Sequence, residues 1–209
     1  MIPHLLHFVW VGPPMPDAYA GFVDGWADLH PSWDVKVWGE DDLTDLTNQA
    51  IYDSARGDHA GQLRSDVARY EILRDHGGVY LDCDMEPLRP IDGLCGSLAF
   101  AAWETDSRWV GNAVLGSVPG HPLWGELIAA LPASVAASKP TDRPTLVSGP
   151  QFFTPRVRHR TDVRILSSAS FYPYRWDQLD RASDDPGDDA YAVHHWNNAR
   201  RRKGVPLHA

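Results

Sequence analysis

The feature that most constrains the fold is the stretch of residues 62–86, which reads QLRSDVARYEILRDHGGVYLDCDME. In its first half Leu63, Val67 and Tyr70 recur with helical spacing, so they form an apolar stripe that can face a core. Gly77-Gly78 then ends the helix, because glycine adopts the left-handed conformation of a helix end at little steric cost. The stretch therefore predicts a helix that leads directly into a strand.

The strand predicted after the two glycines, residues 79–84, ends in a pair of aspartates. Because side chains alternate along a strand, Asp82 and Asp84 point to the same side, about 6.5–7 Å apart. Two carboxylates at this spacing can share a cation or flank a sugar. Chance also yields such pairs in a chain rich in aspartate. The position at a strand's carboxyl end, where ligands gather in α/β sheets, makes this pair our first candidate site.

Strand and helix patterns alternate along the rest of the chain. Strands are predicted at residues 2–11, 33–37, 98–103, 110–115, 163–166 and 191–196, and helices around 19–29, 41–56, 122–131 and from 148 onward. Residues 132–144 and 177–189 read as loops, and residues 200–203 as a basic tail. This alternation predicts an α/β sandwich with a mainly parallel sheet, and 209 residues are typical of one domain spanning 1–209.

Composition excludes several classes of function. A net charge of −9 argues against nucleic acid as the main partner. No apolar run is long enough for a transmembrane helix, and the N-terminus lacks the pattern of a signal peptide. Cys83 and Cys95 do not make a disulfide framework, so we expect a cytoplasmic location. Peripheral contact with a membrane stays open.

Other side chains are candidates for the same site. Asp66 and Arg69 are either an ordinary i, i+3 ion pair or a pair that binds sugar hydroxyls. Oxygen ligands suit Mg²⁺ or Mn²⁺, and an added imidazole favours Mn²⁺. His194 and His195 lie on a predicted strand, so at most one of them can face the aspartates.

Three further features have two interpretations each. Trp10, near the end of the first strand, either stacks on a base or packs in the core. The basic residues 200–203 either neutralise a diphosphate or form a solvated tail. Glu104 and Asp106 lie in a predicted turn that could contact an acceptor.

Two motifs resemble those of a known family. The first is Ile2-Pro3-x-x-x-His7-Phe8-Val9-Trp10, and the second is Ser65-Asp66-x-x-Arg69-x-x-x-Leu73-x-x-x-Gly77-Gly78-x-Tyr80-x-Asp82-x-Asp84. Together they resemble the DXD-containing sugar transferases of glycosyltransferase family 32, which include yeast outer-chain mannosyltransferase, animal α1,4-glycosyltransferases and bacterial capsule enzymes. Residues 7–12 are also similar to the nucleotide-binding strand of clostridial glucosylating toxins.

The resemblance implies a GT-A fold, which is a Rossmann-type α/β/α sandwich with a mainly parallel central sheet. It also implies transfer of a hexose from a nucleotide sugar with retention of configuration. By similarity, Trp10 stacks on the base, while Asp66 and Arg69 hold the donor sugar. Asp82 contacts the ribose or sugar and approaches the metal, and Asp84 ligates the metal and bridges it to the diphosphate.

Three later segments extend the resemblance. Asn112 matches an Asn near the donor sugar, and Gln151, after Ser148-Gly149-Pro150, is a candidate near the reacting carbon. Residues 192–197 match a segment whose first His binds metal, which selects His194 over His195. The predicted catalytic residues are Asp82, Asp84, Asn112 and Gln151; the substrate-binding residues are Val9, Trp10, Asp66, Arg69, Tyr80, Asp82, Trp103, Glu104, Asn112 and Asn197; the metal ligands are Asp82, Asp84 and His194.

One segment departs from the family pattern. Many relatives carry Ser-Trp a few residues after the metal-binding His, on a loop that covers the diphosphate, whereas this chain has Asn198-Ala199-Arg200. Either the arginine-rich residues 200–203 take over that role, or the lid works differently.

The expected cofactor is Mn²⁺, with Mg²⁺ as the alternative, and the co-substrate is a nucleotide sugar, a UDP-sugar being favoured over GDP-mannose. The acceptor stays open among a glycan, a lipid-linked sugar, a protein and a small molecule, with polysaccharide biosynthesis as the expected setting. Two other classes remain alternatives. They are a metal-independent glycoside hydrolase that uses Asp82 and Asp84, and a non-catalytic carbohydrate-binding module.

Overall fold

A six-stranded sheet forms the centre of the protein, which we describe from a computed structural model covering residues 1–139 and 141–206. The strands are β1 Leu5–Val9, β2 Asp34–Trp38, β3 Gly78–Leu81, β4 Met85–Pro87, β5 Ala99–Thr105, β6 Trp109–Ser117, β7 Val163–Leu166 and β8 Ala192–His194. The α-helices are α1 Asp17–Leu29, α2 Gln49–Ser54, α3 Ala60–His76, α4 Pro122–Ala137, α5 Pro144–Val147, α6 Pro150–Val157 and α7 Asn197–Lys203.

The strand order of the sheet is β2-β1-β3-β6-β5-β7. β1 runs parallel to β2 and β3, and β5 runs parallel to β7. β6 is antiparallel to both of its neighbours. The predicted mainly parallel sheet is confirmed. The two strands outside this sheet, β4 and β8, form a separate antiparallel pair in which Met85 lies opposite His194.

Two apolar clusters lie on the two sides of the sheet, as an α/β/α sandwich requires. Val79 and Leu81 of β3 belong to the cluster that contains Trp26 of α1. Tyr80, the residue between them, belongs to the cluster formed with α3, α4 and α6. β3 is therefore buried on both faces, which places its carboxyl end inside the protein. In the described part of the chain, no helix has the length and apolar character needed to cross a bilayer.

The predicted junction of helix, glycines and strand is confirmed. α3 ends at His76, and Gly77 and Gly78 both have positive φ, +63° and +83°. A Cβ at Gly77 would lie 2.6 Å from Pro119, and one at Gly78 would lie 2.6 Å from the carbonyl oxygen of Leu5. Both positions therefore need glycine for conformation and for space.

The strand predicted over residues 79–84 extends further toward its C-terminal end than the strand in the structure. β3 stops at Leu81, and the backbone N–H of Met85 donates to the Asp82 carbonyl oxygen over 3.1 Å, which closes a turn. The turn is required because β4 leaves the central sheet to pair with β8. The first predicted strand, residues 2–11, is likewise shorter, and Ile2 lies buried before it.

Two helix predictions need correction. The helix predicted over residues 41–56 is split into a 3₁₀ turn, Glu40–Asp42, and α2, because buried Glu71 accepts hydrogen bonds from the backbone N–H groups of Thr47 and Asn48. The loop predicted from residue 132 begins later, since α4 continues through Pro132 to Ala137. Proline leaves the carbonyl of Ile128 without its helical partner, and the Asn48 side chain donates to that oxygen over 3.0 Å. Pro140, within the predicted loop, lies outside the described residues.

The basic residues 200–203 do not form a tail. They belong to α7, and Arg200 is buried. Its Nε donates to the carbonyl oxygen of His195 over 2.9 Å, which folds the helix back onto the end of β8.

We expect Gly77→Ala to destabilise the protein by more than the ~1–3 kcal/mol of backbone strain alone, because the new methyl group also meets Pro119 and Ser117. Gly57→Ala is the matched control, since Gly57 has φ +76° and no atom of the described residues lies within 4 Å of the place its Cβ would take. Urea denaturation measures both. Equal losses in the two variants would contradict the steric contribution.

His7 gives stability a pH dependence of known sign. Its Nδ1 accepts from Trp38 Nε1 over 3.1 Å and its Nε2 lies 2.9 Å from the Gly77 carbonyl oxygen, an arrangement that suits neutral imidazole. Burial lowers the pKa of His7 to about 4. The folded state therefore binds fewer protons than the unfolded state, and stability falls as pH drops from about 6.5 to 4.

We expect the His7 contribution to this loss to reach ~3 kcal/mol at pH 4. His7→Gln removes the titration, so its unfolding free energy should vary less with pH than that of wild type. Denaturation at pH 7.5 and 4.5 measures the difference, with His159→Gln on the surface as the control. Parallel pH dependence in wild type and His7→Gln would contradict the assignment.

Candidate active site

The candidate site forms where β3 ends and the chain turns toward β4. α3 supplies Asp66 and Arg69, β6 supplies Asn112, and the turn after β3 supplies Asp82. All four were predicted site residues, and the structure brings them into direct contact through one side chain, that of Arg69.

Arg69 lies between two carboxylates. Its Nη2 is 3.1 Å from Oδ1 of Asp66 and 3.1 Å from Oδ1 of Asp82. Its Nη1 donates to the carbonyl oxygen of Asn112, and its Nε donates to that of Ser65 over 3.1 Å. Only 2% of the Arg69 side chain is exposed. Through buried ion pairs and hydrogen bonds, Arg69 therefore joins α3 to the end of β3 and to β6.

Asp66 is also buried and its two oxygens have protein partners. Oδ1 accepts from Asn112 Nδ2 over 2.8 Å, and Oδ2 accepts from Ser148 Oγ over 2.7 Å. Burial raises the pKa of Asp66 to about 6, although Arg69 and the two hydrogen bonds lower it. Because both oxygens are used, Asp66 holds its neighbours in place in this structure.

Asp82 is the member of this cluster that reaches solvent, with 28% of its side chain exposed. The hydroxyl of Tyr80 donates to Asp82 Oδ1 over 2.8 Å, and the guanidinium of Arg69 lies 4.4 Å from the Tyr80 ring centre. Burial raises the pKa of Asp82; Arg69 opposes the change and Asp84 adds to it. Tyr80 and Arg69 together fix the carboxylate at the strand end.

Asp84 lies two residues further, where β4 and β8 meet. Its Oδ1 is 3.1 Å from His194 Nε2, and its Oδ2 accepts from the backbone N–H of Asn197 over 2.8 Å. Although burial raises the pKa of Asp84, the charge and hydrogen bond of His194 outweigh it and lower the pKa. Burial lowers the pKa of His194, but Asp84 and Asp82 outweigh it, so the net shift is upward.

The donor set fits a divalent metal ion. Asp82, Asp84 and His194 each offer one ligand atom, and these atoms lie within 4.8 Å of one another. Two carboxylate oxygens and one imidazole nitrogen are ligand types that divalent ions accept in proteins. Within the described residues, Nδ1 of His194 is buried without a hydrogen-bond partner.

His194 and His195 face opposite ways, as strand alternation predicts. His195 Nε2 is 2.6 Å from Glu86 Oε2, and its ring stacks on Phe22. The backbone N–H of His195 donates to the carbonyl oxygen of Asp84 over 3.0 Å. His195 therefore supports the turn from the side away from the ligand atoms.

The remaining predicted residues lie around this cluster at different depths. Trp10 is half-buried, with its ring centre 5.0 Å from that of Tyr19. The side chain of Val9 is buried in the core, so only its backbone could contact a ligand. Gln151 is exposed on the first turn of α6, outside the hydrogen-bonded cluster of the described residues.

Two predicted residues, Trp103 and Glu104, are neighbours on β5. Trp103 is half-buried and packs against the core on the α3 side. Glu104 is half-buried, and burial raises its pKa to about 7, with His194 opposing the shift. Asn197, the first residue of α7, is buried.

Sequence reasoning missed three supporting residues. Ser65 is uncharged, and its carbonyl and hydroxyl oxygens accept hydrogen bonds from Arg69. The i, i+4 spacing of Ser65 and Arg69 on α3 could have predicted this contact. Tyr70 was assigned to the apolar stripe, yet its hydroxyl donates to the carbonyl oxygen of Ser148 over 2.6 Å. Tyr19 packs beside Trp10, and no local pattern distinguished it from an ordinary core residue.

Comparison with known proteins agrees with this geometry. Residues 16–101 match the family model described as "Glycosyltransferase sugar-binding region containing DXD motif". The chain is 29% identical over 136 residues to inositol phosphoceramide mannosyltransferase 3 of Schizosaccharomyces pombe, an alignment that covers 63% of this chain and 37% of the relative. The chain thus spans little more than a third of that relative's length.

Solved structures show the same fold. The PaToxG glycosyltransferase superposes with a TM-score of 0.64 at 13% identity, covering 99% of this chain and 79% of that one. The UDP-bound glycosyltransferase domain of the YGT toxin superposes with a TM-score of 0.55 at 11% identity, covering 78% of this chain and 79% of that one.

The fold is therefore the GT-A fold of glycosyltransferase domains, as the resemblance implied. Residues 16–101, which include the Asp82-x-Asp84 pair, match the family model of sugar-binding regions that contain the DXD motif, so the predicted resemblance is confirmed.

We expect Arg69→Ala to destabilise the protein by ~3–5 kcal/mol, because it leaves Asp66 buried without its cation. Arg64→Ala is the control on the same helix, where the Arg64–Glu40 pair is partly exposed, with 24% and 57% of the two side chains in solvent, and is worth about 1 kcal/mol or less. Urea denaturation measures both. A loss below 1 kcal/mol for Arg69→Ala would show that the bridge does not hold the site together.

Proposed function

We propose that this chain transfers a hexose from a nucleotide sugar to a hydroxyl acceptor, with a divalent metal ion and with retention of configuration. The observation that carries the proposal is the approach of Asp82, Asp84 and His194 to within 4.8 Å, beside the buried network of Arg69. Residues separated by more than a hundred positions converge there, which a solvated turn would not require.

Each residue has a role that its contacts support. Asp82, Asp84 and His194 would hold the metal ion, which would offset the negative charge that builds on the leaving diphosphate. Arg69 and Tyr80 fix the carboxylate of Asp82 at the strand end. The acceptor hydroxyl would attack the sugar from the face that the diphosphate leaves.

The network behind the aspartates positions the donor sugar. Asp66, Asn112 and Ser148 are linked by hydrogen bonds of 2.8 and 2.7 Å, so they form a rigid wall behind Asp82. We place the sugar against this wall, with Gln151 and Glu104 on the open side as candidates for contact with the reacting carbon and the acceptor. Trp10 is the candidate for stacking on the base.

The donor and the acceptor rest on the names of related proteins. The UDP bound to the YGT toxin domain favours a UDP-sugar, whereas the mannosyltransferase name of the yeast relative favours GDP-mannose. That name also favours a lipid-linked inositol phosphate as the acceptor over the polysaccharide first expected. A cytoplasmic location stays a prediction, with which the free, buried Cys83 and Cys95 are compatible.

A thermal-shift panel of UDP-sugars and GDP-mannose, with and without Mn²⁺, tests the proposal. A donor at 100 times its dissociation constant should stabilise the protein by ~2.7 kcal/mol, and only when Mn²⁺ is present. Stabilisation that persists in EDTA would favour the hydrolase alternative. Turnover of the stabilising donor, followed by NMR of the anomeric proton, then reports whether configuration is retained.

We expect Asp84→Asn to abolish Mn²⁺-dependent turnover while the protein stays folded, because the amide keeps the shape of the side chain and loses the anionic ligand. Asp180→Asn, on the exposed acidic loop, makes the same change of charge and should retain activity. Circular dichroism checks the fold of both variants. Wild-type activity in Asp84→Asn would refute the metal role.

A further inference from the structure

The four basic residues 200–203 of α7 lie in different environments. Arg200 is buried and donates to the carbonyl oxygen of His195. Arg202 lies near Arg143, since burial and that like charge lower its pKa. Lys203 lies 5.4 Å from the ring centre of Trp176 and donates to its carbonyl oxygen over 3.3 Å. Among the described residues, none of these three side chains forms an ion pair with Asp82 or Asp84.

Arg201 has a different setting. Its Nη2 donates to the hydroxyl of Tyr19 over 3.3 Å, and its guanidinium lies 6.0 Å from the Tyr19 ring centre. The Tyr19 ring in turn lies 5.0 Å from that of Trp10, the proposed base-stacking residue. Arg201 is exposed, and among the described residues no carboxylate lies within 4.0 Å of it. Its charge is therefore available to an anionic ligand.

The start of α7 fixes the direction in which Arg201 points. The backbone N–H of Asn197 donates to Asp84 Oδ2 over 2.8 Å, so the helix begins at the metal-site cluster. Arg201 follows Asn197 by one helical turn, on the same face. The backbone of Asn197 contacts Asp84 at one end of this face, and Arg201 at the other end contacts Tyr19, which packs beside Trp10. α7 therefore connects the aspartates to the Trp10–Tyr19 pair.

The charges around the aspartates leave a role for a further cation in binding an anionic donor. Asp66, Asp82 and Asp84 are three carboxylates, and Arg69, the arginine that pairs with Asp66 and Asp82, is engaged with protein partners. With the base at Trp10 and the sugar against the wall behind Asp82, the diphosphate of a nucleotide sugar lies between these two places, where Tyr19 packs beside Trp10 and contacts Arg201. A guanidinium binds phosphate oxygens through two parallel hydrogen bonds and keeps its charge at every relevant pH.

We infer that Arg201, held by Tyr19, binds the diphosphate of the nucleotide sugar and replaces the Ser-Trp loop that this chain lacks. This inference rests on the proposed function, because it needs a nucleotide sugar as the ligand. It assigns one residue of the basic segment to the donor and leaves Arg202 and Lys203 outside the site. Tyr19 is a positioning residue, since it touches Arg201 and not the reacting atoms.

Calorimetric titration in the presence of Mn²⁺ tests the inference. The ligands are UDP and GDP, with the matching monophosphates and nucleosides. We expect Arg201→Ala to weaken diphosphate binding about tenfold or more, which is the usual effect of losing a charge-assisted hydrogen bond. Monophosphate binding should weaken less, and nucleoside binding should change less than about twofold. Arg201→Lys should recover part of the loss, because the charge returns without the planar fork.

The matched control is Arg202→Ala, which removes the same charge from the same helix on the face toward Arg143. It should bind every ligand within about twofold of wild type. Tyr19→Phe should weaken diphosphate binding less than Arg201→Ala, because it removes only the hydroxyl that holds the guanidinium. Thermal melts confirm that each variant is folded.

The possible failures are distinguishable. Diphosphate binding within about twofold of wild type in Arg201→Ala overturns the inference and leaves the proposed function standing. Equal losses of affinity for diphosphate and nucleoside also overturn it, because they would show that Arg201 contacts the base or supports the packing of α7 instead of binding the diphosphate. Wild-type protein that binds neither UDP nor GDP with Mn²⁺ overturns the proposed function and this inference with it.

Discussion

The buried guanidinium of Arg69 is the contact on which the candidate site depends. A cation out of water is costly by several kcal/mol unless carboxylates and carbonyls surround it, and here Asp66, Asp82 and the carbonyl oxygen of Asn112 do so. α3 cannot shift relative to β3 or β6 without breaking this set. The carboxylate of Asp82 is thereby held at the strand end before any ligand arrives, which is the preorganisation that catalysis by charge stabilisation requires.

The second constraint is the small β4–β8 pair, which lies outside the main sheet. It closes the turn after Asp82 and places Met85 opposite His194, so that an imidazole from the end of the chain reaches Asp84. The same pairing sets the start of α7 beside the aspartates. One short antiparallel contact thus supplies both the third metal-ligand candidate and the helix that carries Arg201.

Local patterns were sufficient for much of the fold. The end of α3 was predictable from Gly77-Gly78, because glycine readily adopts the positive φ angles found there. The close contacts at both positions also exclude larger residues. Patterns failed where a distant partner replaced a local bond. α4 passes through Pro132 because Asn48, far away in sequence, occupies the free carbonyl of Ile128. The basic segment became a helix because buried Arg200 found the carbonyl of His195, a contact that composition cannot reveal.

The choice of His194 over His195 came from the family resemblance. By itself the pattern of the sequence determined the class of fold, the order of its central helix and strand, and the pair Asp82 and Asp84. Those features depend on spacing along the chain, which the period of a helix or a strand fixes. Only the tertiary structure decided that Asp66 is engaged on both oxygens, that Gln151 stays at the surface, and that Arg201, one of four adjacent basic residues, contacts Tyr19 beside Trp10. Those outcomes depend on which groups become neighbours when the layers pack, and burial then obliges each polar atom to find a partner.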